Sequence, residues 1–492
     1  MIRSRVQEMT MLRSALSDPL PDVIEAEVCV VGGGPAGIVT ALELSKLGVK
    51  VSLIEAGGTD GPGDGEESYA GTSSGRPYPI QGSRLRWLGG TTNHWGGWVR
   101  PLDPIDFLDS PKLNLPAWPI GFSDLESWYK RADAWCEVAP GGYDFERLGL
   151  GQTEHVLDLP MNEEFRHEFF RVSPPTRFGQ RYREDIAADP ELDCWTNLTV
   201  AELRQSSESV REMRARTTSG LECRLRADFF VLAMGGLEIP RLLLSQDNVP
   251  GNQANLVGRC FMDHFGVRPG RLLAAADLRY RLFEWQGESV IPVMRPSDEL
   301  LMDDVFGNAC ISLAATRPQQ SLPPAYWENR AVSSLTGQAA LTYDVTIINE
   351  PFPDPRSHIT LIEERDGFGL PRMNLHWHLP VGEFDRVMSL VERFRNFVGR
   401  AGLGRFQWVE RQGLPEDQIP GVGYHHMGTT RMSADPQYGV TDPDCRVWDR
   451  DNLYIASSSL FPTAGYANPT LTICALASRL AFHLAARTGH LT

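Results

Sequence analysis

The chain has 492 residues, of which 42% are hydrophobic and 22% are charged, a balance typical of a globular protein long enough for more than one domain. It carries 63 acidic and 47 basic residues and no run of Lys and Arg, so nucleic acid is not an expected partner. No stretch approaches the ~18 uninterrupted apolar residues of a membrane span, and we predict none.

Residues 1–22, MIRSRVQEMTMLRSALSDPLPD, are polar and lack the apolar segment of a secretory signal. The eight cysteines are scattered and form no CxxC pair. Because this spacing suits neither a zinc cluster nor a small disulfide framework, we expect a reducing compartment, the cytoplasm. His376 and His378 share one face of a predicted strand but have no third ligand, so no metal site is predicted.

The first strong signal is the stretch AEVCVVGGGPAGIVTALELSKLGVKVSLIEAGG. It predicts a buried strand over 28–31, a glycine turn, a helix and a second strand over 49–54. In such a unit Gly32 permits the tight turn, Gly34 lets a pyrophosphate approach the backbone, and Gly37 lets the helix pack closely on the strand. Glu55 ends the second strand and can accept a hydrogen bond from a ribose hydroxyl. The stretch therefore predicts a dinucleotide site, without separating FAD from NAD.

Two later segments extend the same predicted layer. ADFFVLAMGGLEIPRLLLSQ predicts a strand over 229–233, a glycine turn, and a helix beginning near Pro240. NLYIASSSLFPT predicts a strand over 453–456 followed by a serine-rich turn. The nucleotide-binding layer is therefore expected to be discontinuous, with the remaining residues in a second, substrate-binding domain. The predicted division is 20–100, 195–270 and 420–492 for the first domain, and 101–194 and 271–419 for the second.

Asn468 and Pro469 predict the start of the last helix, because Asn caps free backbone N–H groups and Pro favours the first helical position. Residues from 470 to about 486 are apolar almost all round, which predicts a buried helix. The N-terminus of this helix carries partial positive charge. A reduced flavin is anionic around N1 and would be stabilised there.

Six motifs follow one another along the chain: GGGPAG with Glu55, LGGTTNHWGG, VLAMGGLEIPRLLLSQ, VGRCFMDH, HHMGTTRM and DNLYIASSSLFPTAGYANPTLT. In content and order they resemble the glucose–methanol–choline (GMC) oxidoreductases, FAD-dependent alcohol oxidases and dehydrogenases, with the pyranose-oxidase and glycoside-dehydrogenase branch nearest. The resemblance implies an α/β fold with a Rossmann-like FAD-binding domain and a discontinuous substrate-binding domain, built on a sheet with flanking helices. It is weak over 101–194 and 271–419, which select the substrate.

The resemblance also implies the catalytic pair. In that family a His within H-x-x-G-T pairs with a His or Asn before the last helix, which selects His425 and Asn468. His425 would accept the hydroxyl proton while a hydride passes to flavin N5, and Asn468 would donate to the developing alkoxide. His426 is expected to be structural, and His264 to pack or hydrogen-bond near the cofactor.

In LGGTTNHWGG the glycines let the backbone approach the flavin ring, and the Thr and Asn side chains offer hydrogen bonds. His94 falls where some family members attach FAD covalently and others do not, and both remain open. Trp95, Trp98 and Tyr424 would form a stacking wall for a sugar. The cofactor-binding residues implied by the resemblance are Gly32, Gly34, Pro35, Ala36, Gly37, Glu55, Ala56, Gly89, Gly90, Thr91, Asn93, His94, Trp95, Gly96, Val200, Ala233, Gly235, Ser458, Ser459, Asn468, Pro469 and Thr470.

The predicted function is oxidation of an alcohol group on a pyranose, a glycoside or an amino sugar, with oxygen or another molecule as electron acceptor. The formal net charge of −16 favours an amino sugar such as an aminoglycoside intermediate. The alternatives are an oxidase of a non-sugar alcohol, a non-redox FAD-containing lyase of the same family, a flavin monooxygenase, and a binding protein without catalysis. The last two give no reason for His425 to occur together with Asn468.

Overall fold

The structure is a computed structural model that describes residues 10–61, 63–109, 115–150, 164–303, 307–316, 341–380, 382–408 and 422–491. The helices are α1 (Pro35–Lys46), α2 (Phe122–Trp135), α3 (Phe178–Arg181), α4 (Arg183–Ala188), α5 (Gly235–Leu244), α6 (Asp298–Asp303), α7 (Glu383–Arg400) and α8 (Thr470–Arg487). The strands are β1 (Leu12–Ser14), β2 (Val23–Val31), β3 (Val51–Ile54), β4 (Thr72–Gly75), β5 (Trp98–Val99), β6 (Phe165–Val172), β7 (Leu192–Thr196), β8 (Thr199–Gln205), β9 (Val210–Arg216), β10 (Glu222–Leu232), β11 (Phe265–Ala274), β12 (Phe283–Trp285), β13 (Glu288–Pro296), β14 (Ala309–Thr316), β15 (Leu341–Asn349), β16 (His358–Arg365), β17 (Pro371–Trp377), β18 (Gly404–Trp408) and β19 (Leu453–Ile455).

The first sheet has the strand order β1-β7-β3-β2-β10-β9-β8, with β19 beside β10. Strands β1, β7, β3, β2, β10 and β19 run parallel, whereas β8 and β9 are antiparallel to their neighbours. Residues Val28–Val31 at the end of β2 are buried, as expected for a parallel strand covered on both faces. Helix α8 packs against α1 and α2. The predicted α/β fold is confirmed.

Most predicted elements of this layer occur close to their expected positions. The strand predicted over 229–233 is the end of the longer β10, and the strand predicted over 453–456 is β19. The helix predicted to begin near Pro240 instead begins at Gly235, so that Pro240 lies inside α5. Proline removes the hydrogen bond to the carbonyl four residues earlier. That carbonyl, of Gly236, accepts a hydrogen bond from the Thr429 hydroxyl at 2.6 Å, so the backbone group remains satisfied.

The second sheet is antiparallel, with the order β18-β11-β15-β14-β13-β6-β5 and with β12 beside β13. Apolar residues of α7, such as Leu390 and Phe394, form a core with this sheet that is separate from the core of the first sheet. A small third sheet has the order β16-β17-β4. The two large sheets draw their strands from distant parts of the chain, and the candidate site lies where they meet.

Among the helices of the described ranges, none is long and apolar enough to cross a membrane. His376 lies in β17 and His378 follows that strand, and their rings stack with 6.5 Å between centroids. Within the part of the chain that the structure describes, no group of three or more His, Cys, Asp and Glu side chains is placed to hold a metal ion.

Candidate active site

A cavity of about 630 Å³ lies at the ends of β2, β3 and β10 and against β11 and β15 of the second sheet. The carboxyl ends of parallel strands are where open α/β sheets bind their ligands. Most of the predicted site residues line this cavity: Gly32, Gly34, Pro35, Ala36, Glu55, Ala56, Gly90, Thr91, His94, Trp95, Gly96, Val200, Ala233, Gly235, His425, Ser458, Asn468, Pro469 and Thr470. Gly37, Gly89, Asn93 and Ser459 are outside its lining.

The residues outside the lining support the cavity wall from behind. A methyl group at Gly37 would lie 1.8 Å from the carbonyl oxygen of Gly32, so helix α1 packs directly on the glycine turn. The Asn93 amide donates hydrogen bonds to carbonyls of its own turn. The fully buried Ser459 accepts a hydrogen bond from the Thr430 hydroxyl at 2.6 Å. These contacts hold the shape of the cavity without presenting groups to it.

The glycine turn after β2 suits a pyrophosphate. Gly32 has φ +109°, and a methyl group on it would lie 2.6 Å from the carbonyl oxygen of Ala233. Gly34 is the N-cap of α1, which has no side-chain cap, so backbone N–H groups of the first turn remain available. No atom beyond its chain neighbours lies within 4 Å of a methyl group placed on Gly34. Free N–H groups at a helix N-terminus beside open space form an anion site.

The Glu55 carboxylate is held by the turn that it faces. Its Oε2 accepts from the Gly33 N–H and its Oε1 from the Gly57 N–H, both at 2.7 Å. A carboxylate can accept about four hydrogen bonds, which leaves positions for ribose hydroxyls. The residues present therefore fit the adenosine and pyrophosphate of FAD.

Two histidines meet at the other end of the cavity. The Nδ1 atoms of His264 and His425 are 2.8 Å apart, and Nε2 of His264 lies 2.7 Å from the carbonyl oxygen of Gly465. Burial lowers the pKa of His264 to about 4. Burial first, and then the neighbouring His264 and His426, hold the pKa of His425 well below its ordinary value. Both rings are therefore neutral at pH 7.

Their hydrogen-bond partners assign the tautomers. A carbonyl oxygen only accepts, so Nε2 of His264 carries the hydrogen and its Nδ1 must accept. His425 then donates from Nδ1, which leaves its Nε2 unprotonated. No described residue is hydrogen-bonded to this Nε2, and His425 lines the cavity. The arrangement leaves one unprotonated ring nitrogen without a partner on a residue that lines the cavity.

The backbone of His425 is held by Asp263, the residue before His264. Its carboxylate accepts from the N–H groups of Tyr424 and His425 at 3.0 and 2.9 Å and from the Tyr78 hydroxyl at 2.7 Å. Burial raises the pKa of Asp263 to about 7. Tyr424 has the left-handed φ of +57°, a conformation that costs energy in a non-glycine residue and needs support. Asp263 and Tyr78 were absent from the sequence prediction, although VGRCFMDH carries Asp263.

The sequence predicted that Asn468 caps the last helix, but the structure shows no such cap. The N-cap of α8 is Pro469, and no side chain caps this helix. Because the helix begins at Thr470, Asn468 is one residue too early to cap it, and the capping prediction is wrong. The Asn468 amide lines the cavity instead. It forms no hydrogen bond with the part of the chain that the structure describes, so it is available to a ligand.

The other predicted aromatic residues are also at the cavity. His426 is buried between Tyr78 and Phe261, with ring centroids 5.8 and 6.2 Å away. Burial, and then Arg84, lower the pKa of His426 to about 3. The rings of Trp95, Trp98 and Tyr424 line the cavity.

Comparisons with known proteins agree with this geometry. The family profile described as FAD dependent oxidoreductase matches residues 27–250, and the one described as GMC oxidoreductase matches residues 353–477. The chain is 25% identical to 2-methyl-1,2-propanediol dehydrogenase of Mycolicibacterium austroafricanum, over 94% of this chain and 96% of that protein. It is 24% identical to 6'''-hydroxyparomomycin C oxidase of Streptomyces lividus, over 94% and 93%.

A solved structure, pyridoxine 4-oxidase from Mesorbium loti, is similar with a TM-score of 0.57 at 17% identity, covering 93% of this chain and 99% of that chain. At this identity the likeness concerns the fold alone. The family profiles and the two full-length relatives agree with the six motifs and with the nucleotide cradle. The chain belongs to the GMC oxidoreductases, and it is an FAD-dependent enzyme.

Proposed function

We propose that the enzyme oxidises an alcohol group on a sugar-like substrate, a pyranose, a glycoside or an amino sugar, to the carbonyl, with His425 as the base. The observation that carries the proposal is the pair of histidine contacts that leaves Nε2 of the cavity-lining residue His425 unprotonated. A neutral imidazole can take the hydroxyl proton at neutral pH.

The chain's own residues then act on the substrate hydroxyl. His425 Nε2 accepts its proton and becomes an imidazolium, whose Nδ1–H still donates to His264. The unpaired Asn468 amide donates a hydrogen bond to the oxygen as negative charge develops on it. FAD, when bound, supplies the acceptor for the hydride that leaves the carbinol carbon. Loss of the proton to His425 and of the hydride to that acceptor leaves the substrate carbon and oxygen joined as a carbonyl.

The sugar-like substrate is supported by the cavity wall, and its hydroxyl group by the relatives. Trp95, Trp98 and Tyr424 at the cavity offer apolar faces to a ring. The two full-length relatives are named for a propanediol and for hydroxyparomomycin C, both of which carry hydroxyl groups.

The test is an anaerobic titration in which the flavin absorbance is followed while sugars, glycosides, aminoglycosides and simple alcohols are added. Bleaching by a member of the sugar group supports the proposal, and admitting air shows whether oxygen restores the colour. Bleaching by simple alcohols alone would replace the sugar with a non-sugar alcohol. If no compound bleaches a flavin that photoreduces normally, the alcohol oxidation proposed here is wrong and a lyase becomes the better explanation.

His94 lines the cavity in LGGTTNHWGG, and it is the residue through which a covalent link to FAD would form. Acid precipitation of the holoenzyme distinguishes the two states of the cofactor. A yellow pellet that loses its colour in His94→Ala would establish the link, whereas a colourless pellet would show dissociable FAD.

A further inference from the structure

The wall that the second sheet contributes to the cavity carries an arginine. The cavity-lining residues of β11 are Gly266 and Arg268, and those of β15 are Thr346 and Ile348. Val267, between the two lining residues of β11, is fully buried in the core of the sheet. Alternate residues of a strand face opposite sides, so Gly266 and Arg268 share the face towards the cavity.

A β-bulge occurs in β11 at this arginine. Between two regular stretches of pairing with β15, β11 has two residues, Arg268 and Pro269, where β15 has only Thr346. A bulge bends the strand and changes the direction of a side chain, and bulges are common beside active sites. The Arg268 side chain is exposed and contributes to the wall of the cavity.

Arg268 also differs from the other charged residues of the cavity in having no partner. It forms no hydrogen bond or ion pair with the described residues, whereas the other lining arginines are paired: Arg84 with Glu238, Arg86 with Thr199, and Arg241 with Asp366. The lining carboxylates are engaged in the same way, Glu238 and Asp366 by arginines and Glu55 by backbone N–H groups. Among the described lining residues, Arg268 is therefore the charged side chain without a hydrogen-bond or ion-pair partner.

We infer that the substrate carries, besides the hydroxyl to be oxidised, a carboxylate that pairs with Arg268. This inference rests on the proposed function, because it assigns the substrate class of the same site. A guanidinium matches a carboxylate with two parallel hydrogen bonds, and the single charge of Arg268 matches one carboxylate. The substrate class is thus an acidic sugar, such as a uronic acid, rather than an amino sugar.

The net charge of the whole chain does not oppose this choice. Interactions between exposed charges are largely screened beyond about 8 Å at physiological salt. The formal charge of −16 is spread over the entire chain, whereas Arg268 lines the cavity itself. For a bound ligand, the charge of the side chain in direct contact determines which ligand charge is favoured, and an ammonium group beside Arg268 would be repelled.

The experiment compares glucose with glucuronate and glucosamine, and galactose with galacturonate and galactosamine, as anaerobic reductants of the holoenzyme flavin. The uronic acids are expected to have the highest reduction efficiency. Arg268→Gln should lower that efficiency about ten- to a hundredfold, the value of hydrogen bonds to a charged group, mainly through weaker binding. The same variant should lower the efficiency with the uronic acids far more than with the neutral sugars, and Arg268→Glu should shift the preference to the amino sugars.

Arg271 provides the matched control. It lies in the same strand, is paired with Asp344 at 2.8 Å and is not part of the cavity lining, so Arg271→Gln removes the same charge without the predicted change. Uronic acid binding is also measured without turnover, on anaerobic holoenzyme whose flavin has already been reduced chemically, from the fluorescence of tryptophans such as Trp98.

The outcomes separate the two proposals. Sugar-dependent reduction whose efficiency depends neither on the carboxylate nor on Arg268, with unchanged binding, overturns this inference and leaves the alcohol oxidation standing. Absence of reduction by all six sugars, by wild type and variants alike, together with negative results from the wider panel of alcohols, overturns the proposed function and this inference with it.

Discussion

In the proposed reaction the reactivity of His425 is determined by groups that do not touch the substrate. The Gly465 carbonyl selects the tautomer of His264, and His264 in turn selects the tautomer of His425. A base that is neutral because it is buried still accepts a proton when the transition state offers one, provided that the unprotonated nitrogen points at the hydroxyl. The chain of contacts assigns that nitrogen before a ligand arrives.

We expect His425→Ala to fold, to bind FAD and to lower the rate of flavin reduction about 10²- to 10⁴-fold, the usual contribution of a general base. The wild-type pH profile provides a second check. Because the pKa of His425 is held well below its ordinary value, activity should persist below pH 6.5 and fall only as pH drops through the lowered pKa. Near-full turnover by His425→Ala, with intact flavin absorbance, would rule out the assigned role.

His264 is a positioning residue, and its replacement separates positioning from folding. His264→Phe removes the acceptor for the Nδ1–H of His425, and we expect kcat to fall on the order of tenfold, the value of about one hydrogen bond, with KM little changed. His264→Asn places an amide oxygen near the lost Nδ1 and should recover part of kcat. Equal loss in both variants, accompanied by equal loss of thermal stability, would indicate a role in packing alone.

At the scale of elements, the sequence predicted those strands, turns and helices whose formation depends on neighbouring residues. The strand–turn–helix at Gly32 and α8 after Pro469 follow from apolar runs and from the residues that end or begin helices. The contact between His264 and His425 joins residues 161 positions apart, and no periodicity carries such information. The motifs brought both histidines to notice through the resemblance, but their tautomers require the Gly465 carbonyl. The bulge at Arg268 likewise depends on pairing with a distant strand.

The N-terminus of α5 packs directly on the segment that carries the catalytic candidate. A methyl group on Gly236 would lie 2.1 Å from the backbone carbonyl oxygen of His426, a contact that backbone atoms cannot relieve cheaply. We expect Gly236→Ala to destabilise the protein by about 1–3 kcal/mol through overpacking and to lower kcat by displacing His425. Thermal denaturation of the holoenzyme and flavin reduction kinetics measure the two effects.

Gly399 is the control for this substitution. It lies in α7, where a methyl group would meet no atom within 4 Å beyond its chain neighbours and its own helix. Gly399→Ala should be neutral or slightly stabilising, because alanine has the higher helix propensity. If Gly236→Ala left both stability and kcat at the level of Gly399→Ala, the close packing of α5 on His426 would be contradicted.

At the scale of the whole molecule, the chain buries acidic groups outside the cavity lining as well as within it. Asp133 in α2 is 5% exposed and accepts a hydrogen bond from the Tyr143 hydroxyl at 2.7 Å. Burial raises the pKa of Asp133 to about 7, and Arg171 opposes part of this rise. An unfolded aspartate has a pKa of about 3.9, so folding and protonation are linked at this residue.

Because of this linkage, the stability of the folded protein depends on pH at Asp133. A carboxyl whose folded pKa is raised contributes stability that is fully present below about pH 4 and is lost as pH rises through about 7. Three pKa units correspond to on the order of 4 kcal/mol. Asp133→Asn is uncharged throughout, so its Tm should match that of wild type below about pH 4, exceed it increasingly between about pH 4 and 7, and keep a constant difference above about pH 7. The exposed Asp228→Asn removes the same charge from the surface and serves as the control, whose Tm difference is measured at the same pH values. A constant difference for Asp133→Asn between about pH 4 and 7 would mean that its carboxyl ionises as readily in the folded protein as in the unfolded chain.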